Sequence, residues 1–368
     1  MIKQFEPKIK LKYIYSVVKQ LLSGFIGNGN AIINFESKLK TLFSNIIFTD
    51  VEVISTTSGT VALMMAIKAL NLQKDSTILF PAYTFLAGAN AARFLGYKVE
   101  LIDINENTLT MNYKKIKLHK NISAIIYVHH NGYNVKDEEN CSKIAKICNE
   151  NKIKLIQDAA QCIGCMPPFF GDLMTLSFSV PKLITTGQGG AVVIHEKDSI
   201  IKADNLLNPN LYFRLLQIRD HGYNWKKDKI HNYLGVNFKF NDILASLGLA
   251  QLNNIGNIIR NKIYIYLYYK NNGLNLSGDA YSWMFTYRAK NKTIANEIIK
   301  TLEENDIETV RYYRPINHNI PYKTKNNFPV AEKIYDTLIY LPSSLTLRKK
   351  DVKRICSIIK NTESTNAL

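Results

Sequence analysis

Between about residues 50 and 200, short β-branched runs alternate with amphipathic helical patterns, and this alternation restricts the fold more than any other feature of the chain. The runs are Val51–Ile54, Thr77–Phe80, Val99–Ile102, Ala124–Val128, Lys154–Ile156, Thr175–Phe178 and Ala191–Ile194. Between the first two lies a helical pattern with Leu63, Met64, Ile67 and Leu70 on one face, and another runs from about Glu138 to Asn149 with Ile144 and Ile147 among its apolar positions. Strands joined through helices make an α/β domain with a mostly parallel sheet. Ligands of such sheets bind beyond the strand C-termini, where the loops Thr57–Thr60, Pro81–Phe85 and Asp158–Gln161 fall.

A further long helix is expected from Asn241, a good N-cap, with Leu244, Gly248, Leu252, Ile255 and Ile259 at helical spacing. The alternating stretch Ile263–Tyr269 fits either helix or strand. From about residue 280 the pattern changes: Met284–Arg288 reads as a strand, Ala295–Glu304 as a helix and Ile307–Tyr313 as a strand. Ala331–Leu341 is a closing apolar segment and Lys350–Ile359 a helix. The expected division is a large domain over 1–255, with an N-terminal arm over 1–30, and a smaller α/β C-terminal domain over 256–368.

The 368 residues are 46% hydrophobic and 21% charged, enough for a large core or two domains. No run approaches the ~18 apolar residues of a membrane span. Lys3, Lys8, Lys10 and Lys12 break any signal-peptide pattern, so a cytoplasmic enzyme away from membranes is expected. Among five cysteines, Cys162 and Cys165 are the close pair. No histidine stands at ligand spacing, so buried thiols and no metal are expected. A net charge of +17 raises nucleic acid as a partner. The lysines are dispersed, however, and the short clusters Lys226-Lys227 and Lys349-Lys350 lack an RNA-binding pattern, so no nucleic acid is expected. A diffuse positive field also suits an anionic small substrate.

Lys182 stands between the apolar run ending at Phe178 and the turn Thr185–Gly190, two dozen residues after Asp158-Ala159-Ala160-Gln161. A lysine and an acid so placed suit pyridoxal phosphate: the amine forms a Schiff base and the carboxylate pairs with the pyridinium nitrogen. A surface lysine before a hairpin turn and an aspartate at a strand end fit the same two segments. Ser58-Gly59-Thr60, between a strand and a helix beginning near Val61, offers free N–H groups and a hydroxyl for a phosphate. An ordinary N-cap fits it equally.

Taken in order, the segments resemble the DegT/StrS nucleotide-sugar aminotransferases, which have the type I aminotransferase fold. The likeness opens with Gly27-Asn28-Gly29 and Phe35-Glu36. It runs through Thr57–Leu63, Phe80–Phe85, Val128-His129-His130-Asn131-Gly132, Asp158–Gln161 and Ser177–Gly190. It continues with Arg219-Asp220-His221-Gly222, Leu234–Lys239 and Gln251-Leu252, and closes with Tyr313-Arg314-Pro315 and Leu341-Pro342.

The resemblance implies that Lys182 is the catalytic Schiff-base lysine and Asp158 the partner of the ring nitrogen. It implies that Gln161 bonds the phenolic oxygen, that Phe85 stacks on the ring, and that Gly59, Thr60 and Ser177 hold the phosphate. Asn237 would reach that phosphate from a neighbouring subunit, giving a homodimer with shared active sites. Lys239 and Tyr313 fall where substrate would touch the protein. The chain departs from the family at Ser179, Gln188, Lys239 and Tyr312, and it has a short segment around Pro167-Pro168. These departures bear on the substrate rather than the reaction.

The expected function is transfer of an amino group from glutamate to a nucleoside-diphosphate-linked keto sugar, with pyridoxamine phosphate as the form between half-reactions. A 4-keto-6-deoxyhexose, giving a 4-amino-4,6-dideoxy sugar for a surface polysaccharide such as O-antigen, is expected by family frequency; a 3-keto sugar is the alternative. Sugar dehydratases of the same fold carry histidine in place of the lysine, so Lys182 argues against that chemistry. A non-catalytic regulator on this fold would not need Lys182, Asp158, Gln161 and Thr60 together.

Overall fold

The computed structural model describes residues 1–47, 49–132, 137–165, 167–196, 210–222, 231 and 233–365; the Lys226-Lys227 cluster lies outside them. Each of the seven runs becomes a strand of one sheet: β1 (Val51–Thr56), β2 (Thr77–Pro81), β3 (Lys98–Ile102), β4 (Ile122–Val128), β5 (Lys154–Asp158), β6 (Leu173–Ser177) and β7 (Gly190–His195). Their order is β1-β7-β6-β5-β4-β2-β3. Pairing is parallel from β3 through β2, β4 and β5 to β6, while β7 runs against both β6 and β1.

The helices that flank this sheet are α1 (Leu11–Leu22), α2 (Asn30–Ile47), α3 (Gly59–Ala69), α4 (Ala87–Phe94), α5 (Glu138–Glu150), α6 (Leu211–Arg219) and α7 (Asp242–Leu252). Strand alternation sends side chains to both faces. Ile126 and Val128 join the core of Ala62, Leu63 and Ala89 from α3 and α4, whereas Ile125 and Tyr127 join Cys141 and Ile144 of α5. Met174 and Val193 pack instead against Phe35 and Leu39 of α2. Both faces of the central strands are therefore covered, which is why those strands are largely apolar, while the edge strand β3 keeps Lys98 exposed.

Asn241 caps α7 as expected, its Oδ1 accepting the Leu244 N–H at 2.9 Å. The expected long helix is interrupted, however. It ends at Leu252, and α8 (Ile255–Asn271) begins afresh. Asn254 stands in the break, donating to Tyr13 Oη at 2.8 Å and accepting from Lys12 Nζ at 3.1 Å. Ile263–Tyr269 is helical within α8, with Ile265 and Tyr269 buried.

Beyond α8, the antiparallel sheet β8 (Leu276–Ser277), β9 (Thr286–Arg288) and β10 (Leu338–Tyr340) is covered by α8, α9 (Lys292–Glu304) and α11 (Lys349–Thr365), while α10 (Pro329–Thr337) precedes β10. The expected strand Ile307–Tyr313 does not form; only the isolated bridges Ile2–Ile307 and Val310–Tyr340 do. Alternation fails there because the successive rings of Tyr312 and Tyr313 both pack on Tyr340, at 5.0 and 6.0 Å. The first residues are tied to this region: Ile2 N–H donates to Asp306 O at 2.7 Å, and Ser343 N–H donates to Gln4 O at 3.0 Å.

Candidate active site

The C-terminal ends of β1, β5 and β6 and the start of β7 meet at one edge of the sheet, because Gly190 lies in register with both Thr56 and Ser177. Ser58 caps α3, its Oγ accepting the Val61 N–H at 3.2 Å. The first N–H groups of any helix have no partner within it, and here they sit at the positive end of the α3 dipole. A Cβ on Gly59 would come within 2.8 Å of Ser177 Cβ, so the helix start and the serine are in direct contact. Gly59 and Ser177 thus lie side by side at the start of α3, with Thr60 next along it, a cradle whose unpartnered N–H groups could take an anion.

Gly190 permits this approach, since a Cβ there would lie 2.7 Å from Gly59 N. Gly190→Ala should therefore push α3 off the cradle. Overpacking of this kind costs about 1–3 kcal/mol, read as a lowered urea midpoint, with weaker retention of a phosphate-bearing cofactor on dialysis.

Asp158 ends β5 and is buried, with Oδ1 accepting the Ala160 N–H at 3.0 Å. Burial raises its pKa, while that N–H and the nearby Lys182 charge pull it down. No described residue donates to its Oδ2. A buried carboxylate with one free oxygen calls for a cationic partner.

Lys182 rides on a loop fixed at both ends: Phe178 N–H donates to Gly189 O at 2.8 Å, and Thr186 N–H donates to Phe178 O at 2.9 Å. Gln251 clamps the loop from α7, accepting from Thr185 N–H at 3.1 Å and donating to Thr185 O at 2.6 Å. Burial lowers the Lys182 pKa to about 8, against the opposing pull of Asp158 and Cys162.

Gln161 is buried beside them, and its orientation is decided by Asn131. The Asn131 N–H donates to Gln161 Oε1 at 2.5 Å, leaving the Gln161 amide N–H groups to face Tyr313 Oη, at 3.4 Å, and the site. Tyr313 is itself buried, its ring 6.4 Å from that of Phe85, which is 61% exposed. His130 fills the space behind, bonded to Tyr340 Oη at 2.8 Å; burial lowers its pKa to about 3, so its ring is neutral.

The segment of Asn237 and Lys239 is tied to the end of β1 beside this cradle, where Thr56 Oγ1 donates to Phe238 O at 2.7 Å. Their segment pairs with Asp220, and Asn237 is exposed. The pairing is anchored from below. Arg219 makes a two-pronged bond to Asp220 (3.0 and 3.1 Å) and a longer one to Glu36, which accepts from Ser55 N–H at 2.7 Å and Ser55 Oγ at 2.6 Å.

Two residues at the site have no assignment from the sequence. Trp283 stacks on Lys182, its ring centroid 4.2 Å from Nζ. Asn131 exchanges two bonds with Met284 (2.8 and 2.9 Å), tying the site to the C-terminal sheet region. Asn131 lies in a matched segment, and the pair Asn131-Gly132 was the available signal; the φ of 52° at Asn131 is the turn such a pair favours. Nothing in local pattern marks Trp283.

An acid with a free oxygen, an amine of lowered pKa and an anion cradle at one sheet edge are the donor set that a phosphorylated pyridine aldehyde requires. The residues present fit pyridoxal phosphate. The family model for DegT/DnrJ/EryC1/StrS aminotransferases matches residues 7–360. The chain belongs to that family. It is an aminotransferase that works with pyridoxal phosphate. It is 29% identical to the GDP-perosamine synthase of Escherichia coli O157:H7 over 96% of each chain. It is 33% identical to the UDP-4-amino-4,6-dideoxy-N-acetyl-beta-L-altrosamine transaminase of Campylobacter jejuni strain 81-176, over 58% of this chain and 55% of that one. The aminotransferase TlmJ of Streptoalloteichus hindustanus has the same fold, with a TM-score of 0.85 at 20% identity over the whole of both chains.

Among the described residues, no helix is long and apolar enough to cross a membrane, and no group of three or more His, Cys, Asp or Glu side chains could hold a metal ion.

Proposed function

We propose that the chain transfers an amino group from glutamate to a nucleoside-diphosphate-linked 4-keto-6-deoxyhexose, giving the 4-amino-4,6-dideoxy sugar nucleotide. The observation that carries this reading is Lys182 facing Asp158 beside the α3 cradle, on a chain related along nearly its whole length to an enzyme named for a GDP-linked sugar. The name of the Campylobacter relative, a 4-amino-4,6-dideoxy compound, supports position 4. Lys182 distinguishes this chemistry from dehydration, since dehydratases of the family carry histidine there. Incubation with glutamate and a panel of 3-keto and 4-keto sugar nucleotides, scored by product mass, tests the reading. Amination of 3-keto sugars alone would reject position 4.

The cofactor supplies an electron sink when bound; the chain supplies position and protons. Asp158 would hold the proton on the ring nitrogen, an arrangement that also relieves its burial. Gln161, aligned by Asn131, would donate to the ring oxygen. Gly59, Thr60 and Ser177 would hold the phosphate, and Phe85 would cover one ring face. Near neutral pH an appreciable fraction of the Lys182 amine is uncharged, so it can take a proton from one carbon and return it to another. Lys239 and the buried Tyr313 would frame the sugar side.

The enzyme would act as a homodimer, with Asn237 reaching the phosphate of the neighbouring subunit. In support, Asn237 is exposed, and α1 and the turn after it present Leu11, Tyr15, Leu22 and Phe25 to solvent at 69–83% exposure, an apolar surface that a second copy would cover. Asn237→Ala should weaken cofactor retention by about 1.5–3 kcal/mol. Mixing Lys182→Ala with Asn237→Ala subunits should restore activity, because one site of each mixed dimer then carries neither lesion. If mixing restores nothing, the asparagine acts within its own subunit.

A further inference from the structure

Trp283 is held at three points. Its indole N–H donates to Pro181 O at 2.5 Å, its backbone N–H donates to Asn131 O at 3.0 Å, and its carbonyl accepts from Lys262 Nζ at 2.9 Å. Lys262 lies on α8 with 2% of its surface exposed. Its amine also donates to Ser343 O at 2.9 Å and sits 4.2 Å from the Phe285 ring centroid. An ammonium taken this far from water is costly unless its donors are used, and here two carbonyls and a ring face use them. Burial nevertheless lowers its pKa to about 7. Among the described residues no acid forms an ion pair with it. What it does is clamp the two backbone turns that carry Trp283 and Ser343.

The clamped indole lies on the Lys182 amine, and its bond to Pro181 ties it to the loop that carries that lysine. A ring face attracts the charged amine, whereas burial opposes the charge. The other ionisable groups that act on Lys182 are Asp158 from β5 and Cys162 from the turn after it. Glu6, Lys8 and Lys10 of the N-terminal segment line the same cavity as Lys182, Lys262 and Trp283.

We propose that Trp283 is the positioning residue of Lys182: its ring face holds the amine on the Asp158 side of the site, and Lys262 fixes the ring. The proposal rests on Lys182 being the lysine that bonds the cofactor, but its test does not.

The chain contains two tryptophans, so a Trp225→Phe background reports Trp283 alone. In that full-length chain, freed of cofactor, Trp283 emission should titrate with a midpoint near pH 8 as the stacked amine loses its proton. Adding Lys182→Met should abolish the transition near pH 8, and adding Lys262→Met should remove any centred near pH 7. An emission with no transition near pH 8, or one near pH 8 that survives Lys182→Met, overturns the proposal.

A second measurement reads the amine directly, by the pH dependence of Lys182 acetylation with acetic anhydride and peptide mass spectrometry. Trp283→Leu should lower the midpoint by about one pH unit. Trp283→Phe, which keeps a ring face, should recover most of that shift, and Lys262→Met should lower the midpoint in the same direction. An unchanged midpoint in folded Trp283→Leu overturns the proposal; where that variant does not fold, the fluorescence titration decides. Borohydride labelling with pyridoxal phosphate keeps the two readings apart. Label on another lysine, with the fluorescence titration intact, rejects the role of Lys182 in the reaction and leaves the contact standing.

Discussion

Lys182→Ala should lose turnover by at least about 10²–10⁴-fold, the contribution of a positioned proton-transfer group, while its urea midpoint stays near that of the wild type. The stability expectation follows from the site: the amine is half-buried and its charge is disfavoured by burial, so removing it relieves a cost. Borohydride reduction of the loaded wild type should fix the cofactor to the peptide containing Lys182, and the alanine variant should take no label. Recovery of label on any other lysine rejects the assignment. The pH dependence has a definite sign. The nucleophile is the neutral amine, and a pKa lowered from 10.5 to about 8 makes the neutral form the major one above that pH. Reconstitution of the cofactor-free chain should therefore speed up with rising pH and level off above about 8. An ordinary lysine would still be gaining speed two units higher, so a rate that keeps climbing to pH 10 contradicts the environment described for Lys182.

Asp158→Asn should slow both half-reactions by about 10²- to 10⁴-fold, the consequence of removing one partner of a buried charge pair worth about 3–5 kcal/mol. Asparagine keeps the shape and can still accept the Ala160 N–H, but as a neutral group it cannot hold a proton on a ring nitrogen. Stopped-flow absorbance of the glutamate half-reaction measures the loss, and near wild-type rates would reject the role. Stability separates this from simple damage to the fold. The folded-state pKa of Asp158 is raised by burial, so its stabilising contribution is present in acid and is lost as pH rises through the folded value. At neutral pH the cofactor-free variant should accordingly be as stable as the wild type or more so, with the difference vanishing in acid.

The large sheet was legible because its strands are buried on both faces and announce themselves as apolar runs, and each expected run forms a strand within two residues of its place. Asn241 caps the helix it was expected to cap, and Ser58 caps α3, the ordinary alternative weighed for Ser58-Gly59-Thr60, since capping is settled within three residues of chain. The acid and the cradle are gathered by strand pairing. Asp158 and Ser177 share one edge because β5 and β6 pair in parallel, and Gly59 joins them because the antiparallel β7 pairs with both β6 and β1, setting Gly190 opposite Ser177 and Thr56. The misreadings lie where distant contacts overrule local pattern. The break before α8 turns on Asn254 meeting Tyr13, and the missing strand near Val310 turns on two adjacent tyrosines facing one neighbour.

By itself, then, the sequence determined the seven strands of the large sheet, with Asp158 at the end of one and Lys182 shortly after another, because periodic burial and motif spacing are local properties. Which side chains close the site was decided by tertiary structure. Trp283 reaches Pro181 across 102 positions, Tyr313 reaches Gln161 across 152, and Asn131 reaches Met284 across 153. No spacing rule links residues so far apart; their meeting depends on how the C-terminal segment packs over the sheet, and that packing is a sum of many weak contacts that no single stretch of chain contains.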